Sequence, residues 1–214
     1  LKLFLQKNKD QIILEKNFQY DKKLFDHPLK NNTYYFGYWQ SFFYFDHIKK
    51  TLFKDFEQFN IRQDLIAKVL KKISSNTVAV HIRGGDMEDD NLMEYVPISY
   101  YKNGIKFFNK NFSSDINFHI FTDDIPYAKE QAKKIFTNNE KILFIKDFEL
   151  TDLEEFNLLR YYSSYLLARS TFSWWASYLC YNKTKTVILP SIWFKNQKTP
   201  IDRLAENMIT IPDE

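Results

Sequence analysis

The sequence predicts an α/β protein built on a parallel sheet that runs from about residue 76 to the carboxyl terminus. Three observations carry this. Short apolar runs recur at regular intervals from residue 77 onward. Stretches with helical spacing of apolar positions lie between them. Helix-start signals sit in the connecting turns: Pro126 follows Asp123-Asp124, and Thr151 and Glu154 stand three apart. Strands that alternate with helices imply parallel pairing with both sheet faces covered.

The elements follow in order. Residues 1–75 differ in texture from the rest and read as a separate amino-terminal segment, expected to be largely helical. Short strands are expected at 1–5 and 12–14, followed by an aromatic run at 33–39 around Gly37. Between 41 and 72, Phe45, Ile48, Leu52, Phe53 and Phe56 recur at three-to-four spacing, which predicts helix. Residues 76–214 form the second domain. Its strands are predicted at 77–82, 117–122, 141–145, 165–168 and 186–189. Its helices are predicted at 97–109, 126–136, 152–163 and 171–181.

Composition bounds the function. The chain has 214 residues, 44% hydrophobic and 27% charged, enough to form a core. A net charge of +3 with scattered lysines does not make a nucleic-acid footprint, so no nucleic-acid partner is expected. Lys49-Lys50, Lys71-Lys72 and Lys133-Lys134 read as solvated faces. The single cysteine, Cys180, excludes an internal disulfide framework and points to a reducing compartment. No apolar run approaches the roughly 20 residues of a membrane span. The wealth of Lys, Asn, Ile and Phe suggests a bacterial source. The molecule holds only 4 glycines, so the adjacency of Gly84 and Gly85 is informative.

Parallel sheets bind ligands beyond the carboxyl ends of their strands. Three candidate groups fall there. The first is His81-Ile82-Arg83-Gly84-Gly85-Asp86. A guanidinium makes planar paired hydrogen bonds to phosphate, and glycines let the backbone approach a ligand closely. A tight turn with a structural Arg83–Asp86 pair explains the same residues, and His81 alone reads as a packed strand residue. The second is Ser170-Thr171-Phe172-Ser173 at a helix start, where unpaired amides and the helix dipole favour anions. Ordinary capping is the competing explanation, and Trp174 and Trp175 read as core. The third is Asp123-Asp124. These carboxylates suit Mg²⁺, helix capping, or hydrogen bonds from a base or sugar. No His/Cys cluster has zinc spacing, and no GxxxxGK[ST] or GxGxxG motif occurs.

These residues resemble a known family. HIRGGD at 81–86 is similar to the HxRRGD motif of the α-1,2-fucosyltransferases, glycosyltransferase family 11. ARSTFSWWASYL at 168–179 resembles that family's ANSTFSWWGAWL. Residues 36–41, with Tyr44 and Phe45, resemble its GYFQSxxYF segment, and Phe121-Thr122-Asp123-Asp124 its FSDD. The resemblance spans about residues 33–195. It departs at Gly84, where the family has a second arginine, and at Arg169, where it has asparagine. The family's glycine-rich amino-terminal segment has no counterpart here, so the chain is expected to be a partial one.

The resemblance implies a GT-B-like architecture: a Rossmann-like parallel-sheet donor domain with an incomplete amino-terminal, acceptor-side half. It implies a galactoside α-1,2-fucosyltransferase that moves L-fucose from GDP-fucose to the 2-hydroxyl of a galactose-type acceptor, inverting, with no metal and no cofactor. Arg83 would clamp the diphosphate and Asp86 would support that loop, these two being the catalytic candidates. Ser170, Thr171, Phe172 and Ser173 would line the diphosphate pocket, Asp123 or Asp124 the guanosine side, and His81 would support donor binding. For the base that deprotonates the acceptor, Asp86 and Glu88 are the candidates. The expected partners are GDP-fucose and a galactoside glycan. The expected location is the bacterial cytoplasm, peripheral to the inner face of the membrane. A non-catalytic nucleotide-sugar or glycan-binding module, or a transferase of the same fold using another sugar nucleotide, remains an open alternative.

Overall fold

The computed structural model describes residues 11–26, 28, 32–57, 61–85, 93–112, 115–137, 140–196 and 199–213. The strand expected at 1–5 and the candidate residues Asp86 and Glu88 lie outside these. The chain forms two compact units: Leu1–Ile48 with Pro200–Leu204, and Lys49–Thr199 with Ala205–Glu214.

The larger unit is the expected α/β domain. Its strands are β3 (Thr77–His81), β4 (Asn117–Phe121), β5 (Lys141–Phe144), β6 (Ser164–Leu166), β7 (Thr186–Pro190) and β8 (Met208–Ile211). They form one sheet in the order β5-β4-β3-β6-β7-β8, and every adjacent pair is parallel. Counted within this unit, the order is 3-2-1-4-5-6, the arrangement of Rossmann sheets, whose winding reverses between the first and fourth strands. Here that switch falls between β3 and β6. The fold is thus a Rossmann-type, GT-B-like one.

Central position explains the composition of β3. Residues 77–81 are all buried, as a strand covered on both faces requires. Val78 and Val80 join Phe118, Ile120, Leu166 and Ile188 on one face, against helices α3 (Ile98–Asn111) and α4 (Ile125–Ile135). Ala79, His81, His119 and Phe121 alternate to the other face. There His81 meets Ser173, and the ring of Phe121 meets Tyr162 edge-on at 5.6 Å. Helices α2 (Gln63–Leu70), α5 (Asp152–Leu159) and α6 (Thr171–Tyr178) complete the unit. The capping box at Thr151 and Glu154 forms as expected.

Three expectations need correction. First, residues 49–75 belong with the sheet and not with the amino-terminal unit. Arg62 pairs with Glu154 at the start of α5 at 2.6 Å, and the buried guanidinium of Arg160 donates to the carbonyls of Phe53 and Phe56. Second, the apolar spacing over 41–72 does not make one long helix. It is distributed over 3₁₀ turns at Phe42–Tyr44 and Asp46–Ile48, helix α1 (Lys49–Asp55), and α2, with Arg62 in extended backbone before α2. Third, β8 was not foreseen. It is a four-residue strand at the sheet's end with only Met208 buried, too short to show a period.

The smaller unit is not largely helical. Strand β1 (Gln11–Leu14) pairs in parallel with β2 (Thr33–Phe36). The carboxylate of Glu15 accepts from the amides of Tyr38 and Trp39 at 2.7 and 3.2 Å, which folds the turn after β2 back on β1. Asp21 caps a 3₁₀ turn at Lys22–Phe25.

Candidate functional site

A cleft of about 290 Å³ opens at the carboxyl edge of the sheet. It lies where winding reverses, the position the topology assigns to a ligand. Four strands deliver its walls. β3 supplies His81 and Arg83, β4 supplies Phe121, Thr122 and Asp123, and the chain after β6 supplies Ser170, Thr171 and Phe172. The turn after β5 and helix α5 supply Lys146, Asp152 and Glu155.

Arg83 is the central cation. Its side chain is 20% exposed, with Nε 3.9 Å from Asp123 Oδ2 and Nη1 donating to the Arg169 carbonyl at 3.4 Å. Asp123, 43% exposed, also accepts from the Gly84 amide at 2.9 Å. One carboxylate therefore holds both the loop and the cation that the loop carries. This contact accounts for the glycines. A Cβ on Gly84 would lie 2.7 Å from the Tyr127 ring and 2.9 Å from Asp124 Cβ, and one on Gly85 would lie 2.6 Å from Asp123 Oδ2. Gly85 also has φ +27, which side chains disfavour. The missing second arginine at position 84 thus has no room on this backbone.

His81 is buried and its Nδ1 lies 2.9 Å from Ser173 Oγ. Burial, reinforced by Arg83 and opposed by Asp123, lowers its pKa from 6.5 to about 4. The imidazole is therefore neutral near pH 7, and it ties β3 to the first turn of α6. Ser170 occupies the N-cap of α6 in extended conformation, and its hydroxyl makes no cap hydrogen bond. The first amides of α6 thus retain their capacity for an anion at the cleft.

The structure brings His81, Arg83, Asp123, Ser170, Thr171 and Phe172 together, as the sequence suggested. It separates others. Ser173 is buried beneath the cleft, bound to His81 and to the Ser170 carbonyl, and does not line it. Asp124 is not on the cleft wall. It caps α4, accepting from the Tyr127 amide at 3.0 Å. Arg169, which stands where the resemblance sets asparagine, is buried away from the cleft wall. It pairs with Asp213 and donates to the carbonyls of Glu94, Tyr95 and Ile192.

Sequence reasoning missed Lys146, Asp152 and Glu155. Lys146 Nζ lies 2.7 Å from Glu155 Oε1 and 3.6 Å from Asp152 Oδ1. Burial alone would lower the pKa of Lys146, but the two carboxylates outweigh it and the net shift is upward. Burial raises the pKa of Glu155 against the opposing pull of Lys146. The signal was present: Lys146 follows the predicted strand 141–145, and the capping box fixes Asp152 and Glu155 three apart on one helix face. Among the described residues, no three His, Cys, Asp or Glu side chains gather as a metal site would need. No helix among them is long and apolar enough to cross a membrane.

Comparison with known proteins gives this geometry a context. The profile of glycosyl transferase family 11 matches residues 8–203. An alpha-1,2-colitosyltransferase of Escherichia coli is 30% identical over 189 residues, which cover 84% of this chain and 62% of that protein. An O-antigen biosynthesis glycosyltransferase of Escherichia coli, WbnK, is 24% identical over 91% of this chain and 68% of its own length. The chain thus spans less than two thirds of the colitosyltransferase. No solved structure matches it.

Proposed function

The chain belongs to glycosyl transferase family 11, and on that footing we propose that it transfers L-fucose from GDP-fucose to the 2-hydroxyl of a galactose-type acceptor, inverting the anomeric carbon without a metal. The observation that carries the donor assignment is Arg83, held by Asp123 at the switch point of a Rossmann sheet and lining one cleft with the start of α6.

In the proposed reaction the acceptor oxygen attacks the anomeric carbon from the face opposite the diphosphate. The bond from that carbon to the diphosphate oxygen breaks, and its electron pair stays on the leaving group. Arg83 and the α6 amides meet the growing negative charge, which is where fixed donors lower a barrier most. The hydroxyl proton passes to a base. His81 is unsuited to that task, since it is buried, engaged by Ser173, and titrates near 4. Its role is to position α6. Asp86 is the proposed acceptor of the proton. Asp123 holds the loop by accepting from the Gly84 amide. The galactoside acceptor and a peripheral position at the inner face of the membrane belong to the same proposal.

Incubation with GDP-fucose and lactose tests it. Release of GDP that depends on lactose is expected. Binding of GDP-fucose without turnover would instead make the chain a binding module. A second reading, transfer of another sugar from the same kind of carrier, is favoured by the similarity to a colitosyltransferase. A thermal-shift panel of sugar nucleotides separates the two, because a ligand of the native state raises its stability.

A further inference from the structure

We propose that the outer edge of the sheet docks on an anionic lipid surface, with an acyl chain lying in the groove between α4 and β5. This goes beyond the transfer reaction and gives the peripheral membrane position a definite face.

Sheet order makes the groove. β5 is an end strand, and among the described residues it pairs with β4 alone. Ile142 and Phe144 stand two apart on β5, so they share one face, the face on which α4 packs. The buried side of α4 is Ala128, Ala132 and Ile135, and it lies over the core. The helix therefore covers the edge strand only in part. Ile142 and Phe144 are half-buried, whereas their β4 partners Phe118 and Ile120 are fully buried. The gap is a groove of about 410 Å³, larger than the donor cleft, with a floor of Ala132, Phe136, Ile142 and Phe144. Strands of a parallel sheet are ordinarily covered on both faces, so this floor suits an apolar occupant.

Charge selects the occupant. The remaining lining residues are Lys129, Lys133 and Thr137, all exposed, and no carboxylate lines the groove. The two lysines stand one helical turn apart, on the same side of α4. Neither forms an ion pair among the described residues, whereas Lys134 is matched by Glu130 and Lys141 by Asp115. Lys129 Nζ lies 5.6 Å from the centroid of the Phe144 ring, so positive charge sits directly at the apolar floor. An ammonium is a point charge without the fixed fork that selects a planar anion. The complement is an apolar chain with an anionic head, as in phosphatidylglycerol. Of the neutral side chains on the lining, only Thr137 could pair with a peptide's amides, so the groove favours an acyl chain over an acidic peptide.

Sedimentation of the whole chain with vesicles of phosphatidylglycerol or of phosphatidylcholine tests this. The chain should bind the first and not the second. Lys129→Glu together with Lys133→Glu should weaken binding roughly thirtyfold or more, at about fivefold for each lysine lost from an anionic surface. Thr137→Trp sets an indole at the groove, and its added fluorescence should be quenched by lipid brominated in the acyl chain. Equal binding to both lipids, full binding by the double variant, or a bound T137W without quenching would overturn the assignment. So would absence of vesicle binding, the result an acidic-peptide groove would give. The double variant should still release GDP from GDP-fucose and lactose as the wild type does, because neither lysine lines the donor cleft. Should it fail to fold, quenching of T137W decides. Vesicle binding by a wild type that releases no GDP would count against the proposed function and leave this surface standing.

Discussion

At the scale of single residues, Asp123 shows what side-chain inventory reveals and what it hides. The sequence marked both carboxylates of the Asp123-Asp124 pair, and their spacing could not divide the work between them. The structure does: Asp124 turns into the helix as its cap, and Asp123 reaches across to the Gly84 amide and Arg83. Gly84 stands where the resemblance sets a second arginine, and contact makes the glycine a steric requirement. Gly84→Ala should therefore lower stability by about 1–3 kcal/mol through overpacking, measured by denaturant titration. Neutral behaviour would show that the loop relaxes. His81 carries a pH signature as well. Its folded-state pKa of about 4 lies below the model-peptide value of 6.5, and His119, buried against Tyr162, behaves alike. Unfolded histidine takes up a proton near 6.5 and the folded form resists until near 4. The stability from these groups is fully present above pH 6.5 and is lost as pH falls toward 4. Denaturation curves between pH 7.5 and 4.5 should show this fall, and His81→Gln should reduce it. A flat profile would contradict neutral burial.

At the scale of elements, helix starts were legible because capping is local chemistry. The box at Thr151 and Glu154 and the N-terminus of α4 formed where expected. Helix ends were less legible. Helix α5 stops at Leu159 and not near 163, because Arg160 turns inward to tertiary partners that no local window contains. Its guanidinium lies between the rings of Phe53 and Tyr181, each centroid 4.6 Å away, and donates to carbonyls of Phe53, Phe56 and Leu179. Arg160→Met should cost about 3 kcal/mol or more, since it leaves several buried carbonyls without donors. A thermal midpoint within a degree of wild type would refute this stapling role. Arg169 and Asp213 form a comparable tie between the chain after β6 and that after β8. Asp213→Asn should lower stability and leave the affinity for GDP nearly unchanged, because neither partner lines the cleft. A large loss of affinity in calorimetry would instead place Arg169 in the site.

At the scale of the whole molecule, the alternation of strands and helices foretold a parallel sheet, and the rule of carboxyl ends foretold the edge at which its cleft opens. What the sequence could not show was the strand order. The order brings residues from four separated strands to one edge, and with it Lys146 and Glu155, which carry no motif. The account's central claim is that Arg83, at the β3–β6 switch point, is the clamp of a nucleoside diphosphate. Isothermal titration of GDP into wild type, Arg83→Ala and Lys134→Ala tests it most directly. Lys134 is an exposed helix residue paired with Glu130, so it controls for loss of a positive charge. The account predicts that R83A weakens GDP roughly tenfold to a hundredfold, the worth of a charge-assisted hydrogen bond, while K134A stays within about twofold of wild type. Equal affinities for R83A and K134A would contradict it.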